Sequence, residues 1–310
     1  VGRPIGEGES SARFAHPTRE EVMTQRPGSP ILRDRPYLIV CAIAGAILVL
    51  LAIVAVAFVV PFGAGETAKP APPAAAAGSA SSAIPPAVVP EDLAALPQST
   101  TYTAIDGAPL DPGSPNPTDG TVVHPRREIV VYSAPGGAPI ARIGPQQLGD
   151  TWLPVIAQQP GWMQVLLPSK PNGSVGWVTD DELDRAVTPY LIRVHLRSLT
   201  MELFWGDRRL GEWPVGIGKK EAPTPVGRTF LLGSFTDSKQ NYSPVILPLG
   251  THSPTLDRFG GGPGTVAIHT WPTADVFGTR SSDGCIRVPS AALNMLTEVP
   301  LGTLVLIDES

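Results

Sequence analysis

From Tyr37 to Val60 the chain carries no charged residue and is rich in Ala, Val, Ile and Leu. The run is long enough for a transmembrane helix, which needs about 20 apolar residues. A buried helix of that length with no polar face would be unusual, and a cleaved signal peptide has a shorter apolar core of about 7–15 residues. An uncleaved anchor over residues 37–60 is therefore expected. On either side the pattern differs. Residues 1–36 are polar, rich in Gly, Pro and Arg, and without apolar period, which predicts a disordered tail. Residues 61–120 are dominated by Ala, Pro, Ser and Gly, as in Lys69-Pro70-Ala71-Pro72-Pro73-Ala74. That composition predicts a semi-rigid extended linker that cannot bury a core.

Beyond residue 120 short apolar runs begin: Ile129-Val130-Val131-Tyr132, Ala141-Arg142-Ile143, Thr151 to Ile156, Gly161 to Leu167 and Gly176-Trp177-Val178. Gly, Pro or Asn interrupts them at intervals of about ten residues, the spacing of a small β-barrel. The pair Gly161-Trp162…Val165 and Gly176-Trp177-Val178 resembles bacterial SH3-like domains, which often accompany cell-wall enzymes. A module over residues 121–186 is expected, with Trp162 and Trp177 as core residues. Residues 187–310 also read as mainly β. Tyr190 to Leu196 and Thr200 to Trp205 flank a short turn, and Gly206-Asp207-Arg208-Arg209 marks a hairpin into Leu210 to Val215. One helix is predicted from Pro289 or Ser290 to about Thr297, with Ser as the cap and Pro in the first turn.

Charge orients the anchor. Six arginines precede the apolar run, with Arg33 and Arg35 adjacent to it, and the next basic residue beyond it is Lys69. The positive-inside bias places the N-terminus in the cytoplasm and everything after residue 60 outside. The formal net charge is −5 at pH 7, and no nucleic-acid partner is expected.

Candidate chemistry centres on Cys285, within Arg280-Ser281-Ser282-Asp283-Gly284-Cys285-Ile286-Arg287-Val288. The chain has two cysteines, and the other, Cys41, lies in the apolar run, so Cys285 has no disulfide partner outside it. A lone thiol after a turn-rich, Gly-containing segment is a candidate nucleophile rather than a small core residue. It needs a base or a cationic neighbour. All five histidines precede it. His269 ends the strand-like Thr265-Val266-Ala267-Ile268 and is the best placed base; His252, in a polar loop, is second. His195 reads as a strand packing residue, His16 lies across the apolar run, and His124 belongs to the preceding module. A single Cys with scattered His has no metal-ligand spacing, so neither metal nor cofactor is implied.

With these residues in place, Ile268-His269-Thr270, Phe277-Gly278 and Ser282-Asp283-Gly284-Cys285-Ile286-Arg287-Val288 resemble the signature of the L,D-transpeptidase (YkuD) catalytic domain. Ala222 to Phe230 resembles the family's T-P-x-G-x-F block, and Val299 to Ile307 its last strand. The resemblance implies a β-sandwich-like domain acting on peptidoglycan stem peptides. Cys285 would attack the amide between the third residue and D-alanine of a tetrapeptide stem. A neighbouring amine would then resolve the thioester into a 3-3 cross-link. His269 would move the proton, Thr270 would orient the imidazole, and backbone N–H groups of Gly284 and Cys285 would hold the oxyanion. Arg287 is a candidate for a stem carboxylate, or a partner for a nearby acid; Ser282 and Asp283 are the other candidate substrate contacts. Many family members have histidine where this chain has Asp283. An aspartate there is read as a turn former, with a catalytic carboxylate as the alternative, and its charge opposes thiolate formation. The same site with water as acceptor would be an L,D-carboxypeptidase, and a catalytically silent wall-binding protein is the rival of another class.

Overall fold

The computed structural model describes residues 84–310 apart from 114–115 and 260–261. The cytoplasmic tail and membrane anchor expected over 1–60 lie outside the described residues. Among the described residues no helix is long and apolar enough to cross a membrane.

Seven strands occupy residues 121–187: β1 (Thr121–Pro125), β2 (Ile129–Tyr132), β3 (Pro139–Ile143), β4 (Leu153–Gln159), β5 (Trp162–Leu166), β6 (Val175–Thr179) and β7 (Leu183–Val187). They pair antiparallel in the order β3-β2-β6-β5-β4-β1-β7. Trp162 and Trp177 are buried and pack with Tyr132, Trp162 edge-on to it.

The region that follows is also built on strands: β8 (Tyr190–His195), β9 (Thr200–Trp205), β10 (Arg208–Pro214), β11 (Ile217–Gly218), β12 (Gly227–Phe230) and β13 (Leu247–His252). After them come β14 (Arg258–Phe259), β15 (Gly262–Pro263), β16 (Thr265–His269), β17 (Arg280–Ser282), β18 (Ile286–Arg287), helix α1 (Ser290–Leu296) and β19 (Leu304–Asp308). The main sheet runs β10-β9-β8-β19-β12, and a smaller one runs β13-β16-β18.

Alternation along β19 explains the layering. Side chains two apart share a face of a sheet. Val305 and Ile307 join one hydrophobic cluster, with Ile192, Val194, Val266, Ile268, Ile286 and the α1 residues Ala292, Leu293 and Leu296. Leu304 and Leu306 join the other, with Phe230, Val123, Leu153 and Val165. The main sheet is thus a middle layer, packed by the smaller sheet and α1 on one face and by the seven-stranded module on the other. Each buried aliphatic side chain contributes about 1.5–3 kcal/mol, so the shared second cluster binds the two regions firmly. The helix opens at Ser290, the later of the two starts its sequence suggests, and Pro289, in extended conformation, takes the cap position expected of the serine.

The linker expectation needs correction from residue 84 onward. Ile105 is buried in the second cluster, Ser99 and Thr101 are buried, and Trp162 Nε1 donates to the carbonyl of Pro85 at 2.9 Å. Bridges join Gln98 to Arg142, Ala104 to Lys170 and Leu110 to Ser174. Few apolar side chains are needed, because this strap spends its backbone polar groups on edge strand β3 and on the β5–β6 connection of an existing sheet.

Candidate active site

Strand register assembles the site. β16 and β18 lie parallel, with Ile268 opposite Ile286 and His269 opposite Arg287. Since Ile268 and Ile286 face the core, their alternates Ala267, His269, Cys285 and Arg287 share the other face. That face lines a cavity of about 440 Å³ whose wall also includes Tyr242, Trp271, Ser282 and Asp283.

The turn carrying Cys285 is held by neighbours. Ser282 Oγ donates to the carbonyl of Cys285 at 2.6 Å and accepts from the Gly284 amide at 3.2 Å. Gly284 has φ +110°, a conformation that side chains rarely adopt. Its carbonyl accepts from Thr224 Oγ1 at 2.8 Å, and the same hydroxyl accepts from the Gly218 amide at 2.9 Å. The Ala222–Phe230 block therefore reaches the catalytic turn through one threonine. Ser282 lines the cavity and holds the turn, and the side-chain capping expected of Asp283 belongs to it. Asp283 instead pairs with Lys219 Nζ at 2.7 Å. With its amide bound to Ser282, Gly284 is not a free oxyanion donor, whereas the amide of Cys285 has no acceptor among the described residues.

His269 is buried, and Nδ1 lies 2.7 Å from the carbonyl of Thr270. A carbonyl only accepts, so Nδ1 carries the hydrogen and Nε2 keeps its lone pair. It is thus the Thr270 carbonyl that orients the ring; its hydroxyl is buried without a partner. Burial, offset by the Thr270 bond and reinforced by the Arg287 cation, lowers His269 to about 4. Burial also pushes the Cys285 thiol up, against the pull of the Ala267 amide and Arg287, while Asp283 pushes it further up. The resting pair is a neutral thiol and a neutral imidazole.

Arg287 sits 3.9 Å over the Trp271 ring, donates to Ser281 Oγ at 3.3 Å, and has Nε buried without a partner. Asp283 acts on its charge but is bound to Lys219. A stacked guanidinium with unspent donors beside a thiol can receive a carboxylate. Tyr242, 4.9 Å from the His269 ring, and Trp271, 5.3 Å from Tyr242, complete an aromatic surround.

The other histidines go elsewhere. His252 is buried, with Nε2 2.7 Å from the Pro168 carbonyl and its backbone clasped by Asn172, and it joins the module to the catalytic region. His195 lies between Asp308 and Glu202, and His124 against Thr151 and Trp152.

The sequence of this region matches the family model described as the L,D-transpeptidase catalytic domain, over residues 189–307. Residues 189–307 carry an L,D-transpeptidase catalytic domain. No curated protein matches the chain. Among solved structures, Bd1075 of Bdellovibrio bacteriovorus is similar, at 25% identity and TM-score 0.32, over 39% of this chain and 48% of that one. The chain therefore spans about half the length of that protein. An L,D-transpeptidase from Mycobacterium smegmatis is 16% identical over 50% of this chain and 99% of that one, TM-score 0.32. L,D-transpeptidase 3 from Mycobacterium tuberculosis is 17% identical over 45% and 76%, TM-score 0.33. At such scores the overlap is partial, and the assignment rests on the sequence match. Within this L,D-transpeptidase domain, sequence reasoning passed over Tyr242, Trp271, Thr224 and Lys219. Thr224 had a signal, because it lies in a recognised block; the other three depend on loop geometry.

Proposed function

We propose that the chain is a membrane-anchored L,D-transpeptidase that forms 3-3 cross-links between peptidoglycan stems. The observation that carries this reading is the shared face of β16 and β18, which sets Cys285, His269 and Arg287 around one cavity. In the first half-reaction His269 Nε2 takes the thiol proton as sulfur attacks the carbonyl of the third stem residue. The C–S bond forms, the C–N bond to D-alanine breaks, and the proton passes to the leaving amine. In the second half-reaction an amine attacks the thioester, the C–N bond forms and the C–S bond breaks, and His269 carries the amine's proton to the departing thiolate. The Cys285 amide supports the oxyanion, and Arg287 receives a stem carboxylate.

The anchor over 37–60 would hold the catalytic domain outside the membrane, with residues 1–36 in the cytoplasm. The module over 121–186 is read as SH3-like on its Gly161-Trp162…Val165 and Gly176-Trp177-Val178 pair. A test mixes the chain with a tetrapeptide stem. An acyl adduct on Cys285 by intact mass, release of D-alanine, and a 3-3 linkage on adding an acceptor stem are expected. Release of free tripeptide with no linkage would make it a carboxypeptidase, and absence of adduct would sink both. A cytoplasm-active reporter should work when fused before residue 36 and fail after residue 61.

A further inference from the structure

The catalytic domain does not supply the whole wall of its own cavity. Tyr102, on the strap, and Leu148, between β3 and β4, line it together with Phe235 and Phe259. All four are large apolar side chains open to solvent, at 63%, 40%, 38% and 55% exposure. Exposed apolar side chains that gather on one concave surface mark a contact site more often than chance placement.

Tyr102 is also held in place. On one side Ser99 donates its amide to Arg142 O at 2.8 Å, and its hydroxyl lies 2.8 Å from Ser169 Oγ. On the other, the Lys170 amide donates to Thr103 O at 2.9 Å, and Ile105 donates back to Lys170 O at 3.1 Å. Between these anchors the Tyr102 amide closes a turn onto Thr100 Oγ1 at 3.3 Å. Lys170 Nζ in turn binds Asp257 at 2.8 Å, next to the β14–β15 hairpin that carries Phe259. A backbone already fixed in place loses little entropy when the side chain it carries meets a ligand.

We propose that the strap and the β3–β4 loop complete the donor groove of the catalytic domain, so that the acyl-donor stem lies against Tyr102 and Leu148 on its way to Cys285. This rests on the function proposed above. The occupant follows from the cavity's polarity. Arg287 is the cation at the Cys285 end and suits the donor's terminal carboxylate. Tyr102, Leu148 and Phe259 carry no charge and suit the alkyl and amide groups N-terminal to the scissile bond.

The test uses the full chain and its Tyr102→Ala, Tyr102→Phe and Leu148→Ala variants. Each is treated with iodoacetamide, with a tetrapeptide stem, and with a dipeptide donor holding only the scissile bond. Alkylation of Cys285 should stay within about twofold of wild type in every variant, because the small reagent does not need the wall. Acylation by the tetrapeptide should fall about five- to tenfold in Tyr102→Ala and Leu148→Ala, while Tyr102→Phe keeps it. With the dipeptide donor the difference should shrink to about twofold. Unchanged tetrapeptide acylation in both alanine variants overturns the inference. So does a parallel loss of alkylation, which would mean a damaged site rather than a lost contact. If the wild-type chain forms no adduct at all, the transpeptidase reading fails and takes the inference with it.

Discussion

His269 is fixed in one tautomer by a main-chain carbonyl, which leaves Nε2 as the only atom able to take a proton. Its lowered pKa, about 4, means that it stays unprotonated through the neutral range. A neutral base beside a neutral thiol predicts a broad pH profile. Acylation should hold from neutral pH down to about 5 and fall as His269 protonates. An early acid loss near pH 6.5 would argue for a solvated imidazole instead. His269→Ala should lose at least about a hundredfold in acylation rate, and Cys285→Ala all of it. The departure at position 283 has its own consequence. Asp283 opposes ionisation of Cys285, and Lys219, bound to Asp283 at 2.7 Å, offsets that charge. Lys219→Met should therefore raise the thiol pKa and Asp283→Asn should lower it, both read from alkylation rate against pH. The double variant should match Asp283→Asn alone, because Lys219 acts by offsetting the Asp283 charge. A plain sum of the two opposite shifts would show that the pair does not act on the thiol as a unit.

At the scale of elements, parallel pairing of β16 with β18 turns residues 18 apart in the sequence, Ile268 and Ile286, into neighbours. The apolar runs around Ile129, Trp162, Tyr190 and Leu304 were legible because their alternation or burial is strong. Strand β1 was not legible: Thr121-Val122-Val123-His124-Pro125 offers two valines and a proline. Nor was β7, whose burial pattern exposes all but its first residue. Cys285 and His269 were legible as chemistry, since residue type and local punctuation mark them. Tyr242 and Trp271 were not, because they reach the cavity from irregular loops with no periodic signal. His195, between Asp308 of β19 and Glu202 of β9, gives a stability test. Burial lowers the His195 pKa, but the hydrogen bonds to Asp308 and Glu202 outweigh it and the net shift is upward. A raised folded pKa adds stability that is fully present below the unfolded value, 6.5, and is lost as pH rises through the folded value. The denaturation midpoint should therefore drop as pH passes upward through that window. In His195→Gln the drop should vanish; if it persists unchanged, another group is responsible.

At the scale of the whole molecule, the strap is what sequence composition misjudged most. An Ala- and Pro-rich segment has little to bury, yet its polar groups can still be consumed by partners that are already folded. The firmest tie is Asp111, whose two carboxylate oxygens receive Arg228 Nε at 2.6 Å and the Arg228 Nη2 group; Nη1 reaches the Asn116 carbonyl at 3.2 Å. Both side chains are buried, at 6% and 4% exposure. Arg228 belongs to β12, the edge strand of the catalytic sheet, so the strap neutralises a cation that the catalytic domain buries. Removing one partner of such a pair leaves an uncompensated charge, at a cost of about 3–5 kcal/mol, whereas removing both with apolar replacements can be close to neutral. Asp111→Ala should thus lower stability by roughly that amount in urea denaturation, and Asp111→Ala with Arg228→Met should recover most of it. Equal losses in the single and double variants would mean that the strap is held by its backbone bridges alone. Recovery in the double variant would mean that the catalytic domain depends on residue 111 because of the charge buried at residue 228.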